Sequence, residues 1–112
     1  MPLIYKICTA PEWREAERAG TYSGSGDDRR DGFIHFSTAA QLPGTLAKYF
    51  TGEPALFLIA VDPDGLAEEL RWEPARGGEL FPHLYGDLDL AHVVKVLDLP
   101  LLPDGSHNVP EL

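Results

Sequence analysis

The run Ala55-Leu56-Phe57-Leu58-Ile59-Ala60-Val61 limits the fold of this chain more than any other segment. It is apolar throughout, has the length of a strand and stops at Asp62-Pro63-Asp64-Gly65, a strong turn sequence. A short continuous apolar run of this kind fits a fully buried strand. It is expected to be the central strand of a sheet, and it is too short to span a bilayer. At 112 residues the chain has room for one core, so one domain over 1–112 is expected.

The elements around that strand follow from local signals. Leu3 to Thr9 alternates loosely and reads as a first strand. Thr9-Ala10-Pro11-Glu12 carries capping-box spacing with Pro in the first turn, so a short helix should run to about Ala19 and stop at Gly20. Trp13 and Ala16 fall on one face of that helix as core anchors. Residues 20–31, rich in Gly, Ser, Asp and Arg, read as a loop: either a mobile flap beside the next strand or a solvated connection.

After that next strand, Leu42, Leu46, Tyr49 and Phe50 share a helical face, with Pro43-Gly44 delaying the regular helix. Leu70 to Pro74, Glu79 to Gly86 and Val93 to Leu97 read as further strands, the first two joined by the turn Arg76-Gly77-Gly78. Residues 103–112 read as a weakly ordered tail. Strands and helices mix without regular βαβ alternation, which indicates an α+β fold.

Chemistry concentrates in two places. In Gly32-Phe33-Ile34-His35-Phe36-Ser37-Thr38, strand alternation puts Phe33, His35 and Ser37 on one face and Ile34 and Phe36 on the other. An imidazole and a hydroxyl on a stiff element can hold a ribose hydroxyl or a carbonyl, and Thr38 or Ser37 can instead cap the next helix. In Glu79-Leu80-Phe81-Pro82-His83-Leu84-Tyr85, an extended backbone aligns Glu79, Phe81, His83 and Tyr85, unless Pro82 breaks the geometry.

Other chemistries find less support. Zinc ligation by His35, His83 and Glu79 lacks any HExxH, CxxC or close His pair. Ser23-Gly24-Ser25-Gly26 has neither the context of a nucleophile elbow nor the Lys of a phosphate loop. Cys8, the only cysteine, reads as a small buried hydrophobe and points to a reducing, cytoplasmic setting. A formal net charge of −9 disfavours nucleic acid and anionic membranes as partners.

Ile4-Tyr5-Lys6-Ile7, the Gly32–Thr38 segment, Arg71-Trp72-Glu73 and Glu79-Leu80-Phe81-Pro82-His83-Leu84-Tyr85-Gly86 together resemble a small bacterial family, domain of unknown function 952. The likeness runs from about Leu3 to Leu99. It implies a compact ADP-ribosyltransferase-like fold, a split β-sandwich of mostly antiparallel strands with two or three short flanking helices. It also implies NAD or an ADP-ribose-like nucleotide as ligand or substrate, held in a cleft between two sheets. The first core strand of that fold carries a ribose- or phosphate-binding residue, and Tyr5-Lys6 occupies its place here. The Phe33–Ser37 strand is similar to the tRNA 2′-phosphotransferase branch, although the acidic charge argues against RNA.

The resemblance therefore makes Lys6, Ser37, Thr38, Phe81, His83 and Tyr85 the expected ligand-binding set. His35 is the expected catalytic residue together with Glu79, or Glu73 in its place, and no metal is expected. Transfer or hydrolysis of ADP-ribose is one expectation. A non-catalytic module that senses a nucleotide or binds a protein is the other.

Overall fold

The computed structural model describes residues 2–112. In chain order it contains β1 (Ile4–Thr9), α1 (Ala10–Ala19), β2 (Thr21–Tyr22), α2 (Gly26–Asp31), β3 (Ile34–His35) and α3 (Leu42–Tyr49). There follow β4 (Leu56–Val61), β5 (Leu70–Pro74), β6 (Leu80–Leu84), β7 (Leu88–Asp89) and β8 (Val93–Leu99). All the ladders are antiparallel, in an α+β arrangement of two three-stranded sheets, β1-β4-β8 and β3-β6-β5, and the small pair β2-β7.

The apolar run is β4, the middle strand of the first sheet, and both of its faces are covered. Ile59 and Val61 join Ile4 and Cys8 of β1 in a core with Trp13 and Ala16 of α1 and Ile34, Phe36 and Leu84. Leu56, Leu58 and Ala60 join Tyr5 and Ile7 in a second core under Leu42 and Leu46 of α3. Two buried faces leave no position for a polar residue, which is why the run has none.

The first helix forms as its caps dictate. The Glu12 N–H donates to Thr9 Oγ1 at 3.4 Å and the Thr9 N–H to Glu12 Oε1 at 3.3 Å, while Gly20 ends the helix at φ +80°. Thr9→Ala is expected to lower stability by about 1 kcal/mol, measured as the shift of a urea midpoint.

Several expectations need correction. Residues 20–31 are not a loop, because they hold β2, paired with β7, and all of α2. Ser25-Gly26-Asp27-Asp28 has the Ser-x-x-acid spacing of a helix start, and the Ser25 N–H donates to Asp28 Oδ2 at 2.9 Å. The third helix begins at Leu42, ahead of Pro43, since proline fits the first turn. Tyr49 is exposed rather than part of its apolar face. As an edge strand, β8 also leaves Val94 and Val96 exposed.

Pro82 does not break β6. Its carbonyl accepts from the Phe36 N–H at 3.0 Å, and a residue's N–H and C=O point to the same side in an antiparallel ladder. The missing donor therefore faces the point where β3 has already ended. Beyond β8 the chain folds back on itself: His107 Nε2 lies 2.7 Å from the Glu53 carbonyl, and the Gly52 N–H donates to Gly105 O at 2.8 Å.

Candidate functional site

Beyond their shared core, the two large sheets are joined by a backbone bridge. Tyr5 and Ser37 exchange both backbone hydrogen bonds at 2.8 Å, which ties the outer edge of β1 to the chain just past β3. A cleft of about 190 Å³ opens beside this bridge, with Lys6, Asp28, His35, Ser37, Arg76 and His83 in its wall. The strand alternation read from the sequence explains part of that wall. Ile34 and Phe36 are buried in the core, whereas Phe33 and His35 stay half-accessible.

Asp28 organises one side. By alternation Lys6 lies on the Ile4/Cys8 face of β1, toward a core, where a cation needs a counter-charge. Asp28 supplies it from α2: its Oδ2 accepts from Lys6 Nζ at 2.8 Å, with side chains 7% and 1% exposed. Asp28 Oδ1 accepts from the His35 backbone at 3.1 Å and lies 2.6 Å from His35 Nδ1. Gly24 makes room for this carboxylate, because a Cβ there would lie 2.7 Å from Asp28 Cβ and the backbone has φ +105°. Burial by itself would raise the pKa of Asp28. The hydrogen bond from His35, the charge and hydrogen bond of Lys6 and the Ser25 N–H outweigh it and hold the group well below the usual carboxylate range.

His35 is held on both sides, since its Nε2 lies 3.0 Å from Oδ2 of Asp31 on α2. Opposite it in register stands His83 of β6. His83 Nδ1 donates to Glu73 Oε1 at 2.8 Å, and Tyr85 OH donates to the same oxygen at 2.7 Å. Phe33 stacks on His83 with ring centroids 4.1 Å apart and lies 4.6 Å from His35, so one aromatic ring touches both imidazoles. The Tyr85 hydrogen bond, followed by that of His83, lowers the pKa of Glu73, and the same contact raises that of Tyr85. Tyr85→Phe is therefore expected to move the Glu73 pKa back up toward its ordinary value, read by ¹³C NMR titration of the carboxyl.

The third wall comes from α3 and the β5–β6 turn. Ser37 Oγ and Thr45 Oγ1 are 3.1 Å apart, and Arg76 Nη1 donates to Thr45 Oγ1 at 3.2 Å. The Arg76 guanidinium lies 5.0 Å above the ring of Phe81.

The sequence-derived set thus divides. Lys6, His35, Ser37, Phe81 and His83 line the cleft. Tyr85 stands behind His83 through Glu73. Thr38 turns toward α3, where its Oγ1 accepts from the Gln41 N–H. Glu79 precedes β6, is exposed and lies away from the cleft wall, so of the two expected glutamates Glu73 is the one that reaches a histidine. The charge of Lys6 is committed to Asp28. Asp28, Asp31, Thr45 and Arg76 were not among the expected site residues; the helix-start spacing at Ser25–Asp28 was the available signal for the first of them.

Among the described residues, no group of three or more His, Cys, Asp or Glu side chains is arranged to hold a metal ion. Cys8 is buried, and burial, aided by the charge of Glu12, pushes its thiol up to about 12, which removes it as a nucleophile near neutral pH. No helix among the described residues is long and apolar enough to cross a membrane.

Comparison with known proteins agrees with this architecture. The crystal structure of protein CC0527 from Caulobacter crescentus superposes with a TM-score of 0.91 at 45% identity, covering 95% of this chain and 93% of that one. The solution structure of CC0527 gives 0.85 at 46% identity, covering 95% and 91%. No curated protein matches the chain. A family model described as "Protein of unknown function (DUF952)" matches residues 7–96, and the chain belongs to that family.

Proposed function

We propose that the cleft binds NAD or a related ADP-ribose-containing nucleotide, on an ADP-ribosyltransferase-like split sandwich. The observation that carries this reading is the convergence of His35, Ser37 and His83, from two adjoining chain segments, beside the Tyr5–Ser37 backbone bridge between the two large sheets. Two imidazoles and a hydroxyl in one cleft wall suit the hydroxyls of a ribose. At about 190 Å³ the enclosed space is smaller than usual ligand pockets. It suits one ribosyl unit, with the rest of a dinucleotide lying along the open edge of β1.

Binding without turnover is favoured over transfer by the state of the carboxylates. Asp28 is saturated by Lys6, His35 and Ser25, and Glu73 spends its Oε1 on His83 and Tyr85. Asp28 is therefore not free to stabilise a ribosyl cation, and Glu73 stands behind His83, outside the cleft wall. The test is a two-dimensional NMR titration of labelled protein with NAD, ADP-ribose and nicotinamide added separately, followed by product analysis after long incubation with NAD. Shifts confined to His35, Ser37, Phe33 and His83 with NAD left intact are the expected result. Absence of shifts at millimolar ligand would exclude the nucleotide. Released nicotinamide would turn the reading to an enzyme.

A further inference from the structure

We propose that Arg76 forms a phosphate-binding subsite at the mouth of this cleft, so that the ligand is recognised as a phosphorylated nucleotide and not as a nucleoside. The inference rests on the nucleotide reading above and assigns the charge recognition within it. Three cations border the cleft: Lys6, Arg30 and Arg76. Lys6 is neutralised by Asp28, and Arg30 pairs with Asp27 and Asp31. Among the described residues, Arg76 has no carboxylate at ion-pair distance.

Arg76 is nonetheless held in place. Nη1 donates to Thr45 Oγ1 at 3.2 Å, and the guanidinium plane rests 5.0 Å above Phe81. Its backbone is fixed by the β5–β6 turn, where the Ala75 N–H donates to Glu79 O at 2.9 Å and the Glu79 N–H to Arg76 O at 3.3 Å. Gly44 provides the space: a Cβ there would lie 2.9 Å from Arg76 Nη2.

The neighbouring hydroxyl hydrogens are committed within the protein. Thr45 donates its own hydrogen to Gln41 O at 3.2 Å, so its oxygen accepts from Arg76 and from Ser37 Oγ at 3.1 Å. Both hydroxyl hydrogens are then used, and the pair acts as a brace for the guanidinium. A guanidinium has five N–H donors, and Thr45 takes one. The others form a fork suited to the paired oxygens of a phosphate or a carboxylate. In a chain carrying a net charge of −9, this unpaired, braced guanidinium is the cation of the cleft left to attract an anion.

The test compares pyrophosphate, ADP-ribose, nicotinamide riboside and malonate, titrated into parent and variant while the Arg76 Nε and the His35 and His83 ring resonances are followed. The expected result is that pyrophosphate shifts Arg76 Nε, and that Arg76→Gln weakens ADP-ribose about 10- to 100-fold while nicotinamide riboside binds unchanged. Should Arg76→Gln disturb amides outside the cleft, Arg76→Lys replaces it, keeping the charge and losing the fork. It should still bind ADP-ribose several-fold more weakly than the parent. Equal affinity of parent and variant for ADP-ribose overturns the subsite, and malonate matching pyrophosphate replaces phosphate by carboxylate. A pyrophosphate response at Arg76 with no nucleotide response at His35 or His83 retains the subsite and removes the nucleotide reading. Nucleoside shifts at the histidines with a silent Arg76 do the reverse.

Discussion

Asp28→Ala is expected to cost about 3–5 kcal/mol of folding stability, the largest loss of any single polar substitution in this chain. Asp28 is 2% exposed, and its carboxylate accepts from Lys6, from the side chain and backbone of His35 and from the Ser25 N–H. Its removal leaves the Lys6 ammonium buried without a counter-charge and also unties the start of α2. The urea midpoint of the variant should fall accordingly. The double variant Lys6→Met/Asp28→Leu, which removes both charges, should recover much of the loss. A single variant with the parent's midpoint would show that the pair contributes nothing.

The same group sets an acid limit. Its folded pKa lies below the unfolded value of about 4, so its stabilisation is complete above that value and is lost as pH falls through the folded one. Asp28→Ala should lose this part of the parent's acid sensitivity.

Asp28 also shows where a single sequence stops being readable. Signals that act within a few residues were legible: the Thr9–Glu12 capping box of α1, the apolar run of β4 and the alternation that buries Ile34 and Phe36 while presenting His35. The capping box at Ser25–Asp28 was equally local, but it lay in a stretch whose Gly, Ser and charged composition resembles a loop. Nothing local says that Lys6 and Asp28, 22 positions apart, neutralise each other.

Register between strands is likewise invisible. Glu73 stands opposite Phe81 in the β5–β6 ladder and therefore reaches His83 diagonally, whereas Glu79, aligned with His83 by simple alternation, falls outside β6. The third strand ends after His35 because Ser37 leaves its sheet to bridge Tyr5 of the other. That change of partner creates the cleft, and no periodicity encodes it.

His35→Ala is expected to weaken nucleotide binding by about 100-fold or more, with the fold retained. Retention follows because Asp28 keeps Lys6, the Ser25 N–H and the backbone N–H of residue 35, which an alanine still supplies. Loss of binding follows because the imidazole lines the cleft beside that of His83. Its two carboxylate neighbours differ in how easily they yield. Asp28 is buried at 2.6 Å from Nδ1 and fixes the ring, whereas Asp31 sits 3.0 Å from Nε2 on a more exposed side chain at the end of α2. A ribose hydroxyl that reaches Nε2 must displace Asp31 and leave Asp28 in place. Asp31→Asn should therefore bind ADP-ribose at least as well as the parent, while His35→Ala shows no saturable shift at the same ligand concentration. Both are measured by the NMR titration that tests the parent. If His35→Ala keeps the parent's affinity, His35 is a structural partner of Asp28 alone; if Asp31→Asn loses binding, that carboxylate contacts the ligand itself.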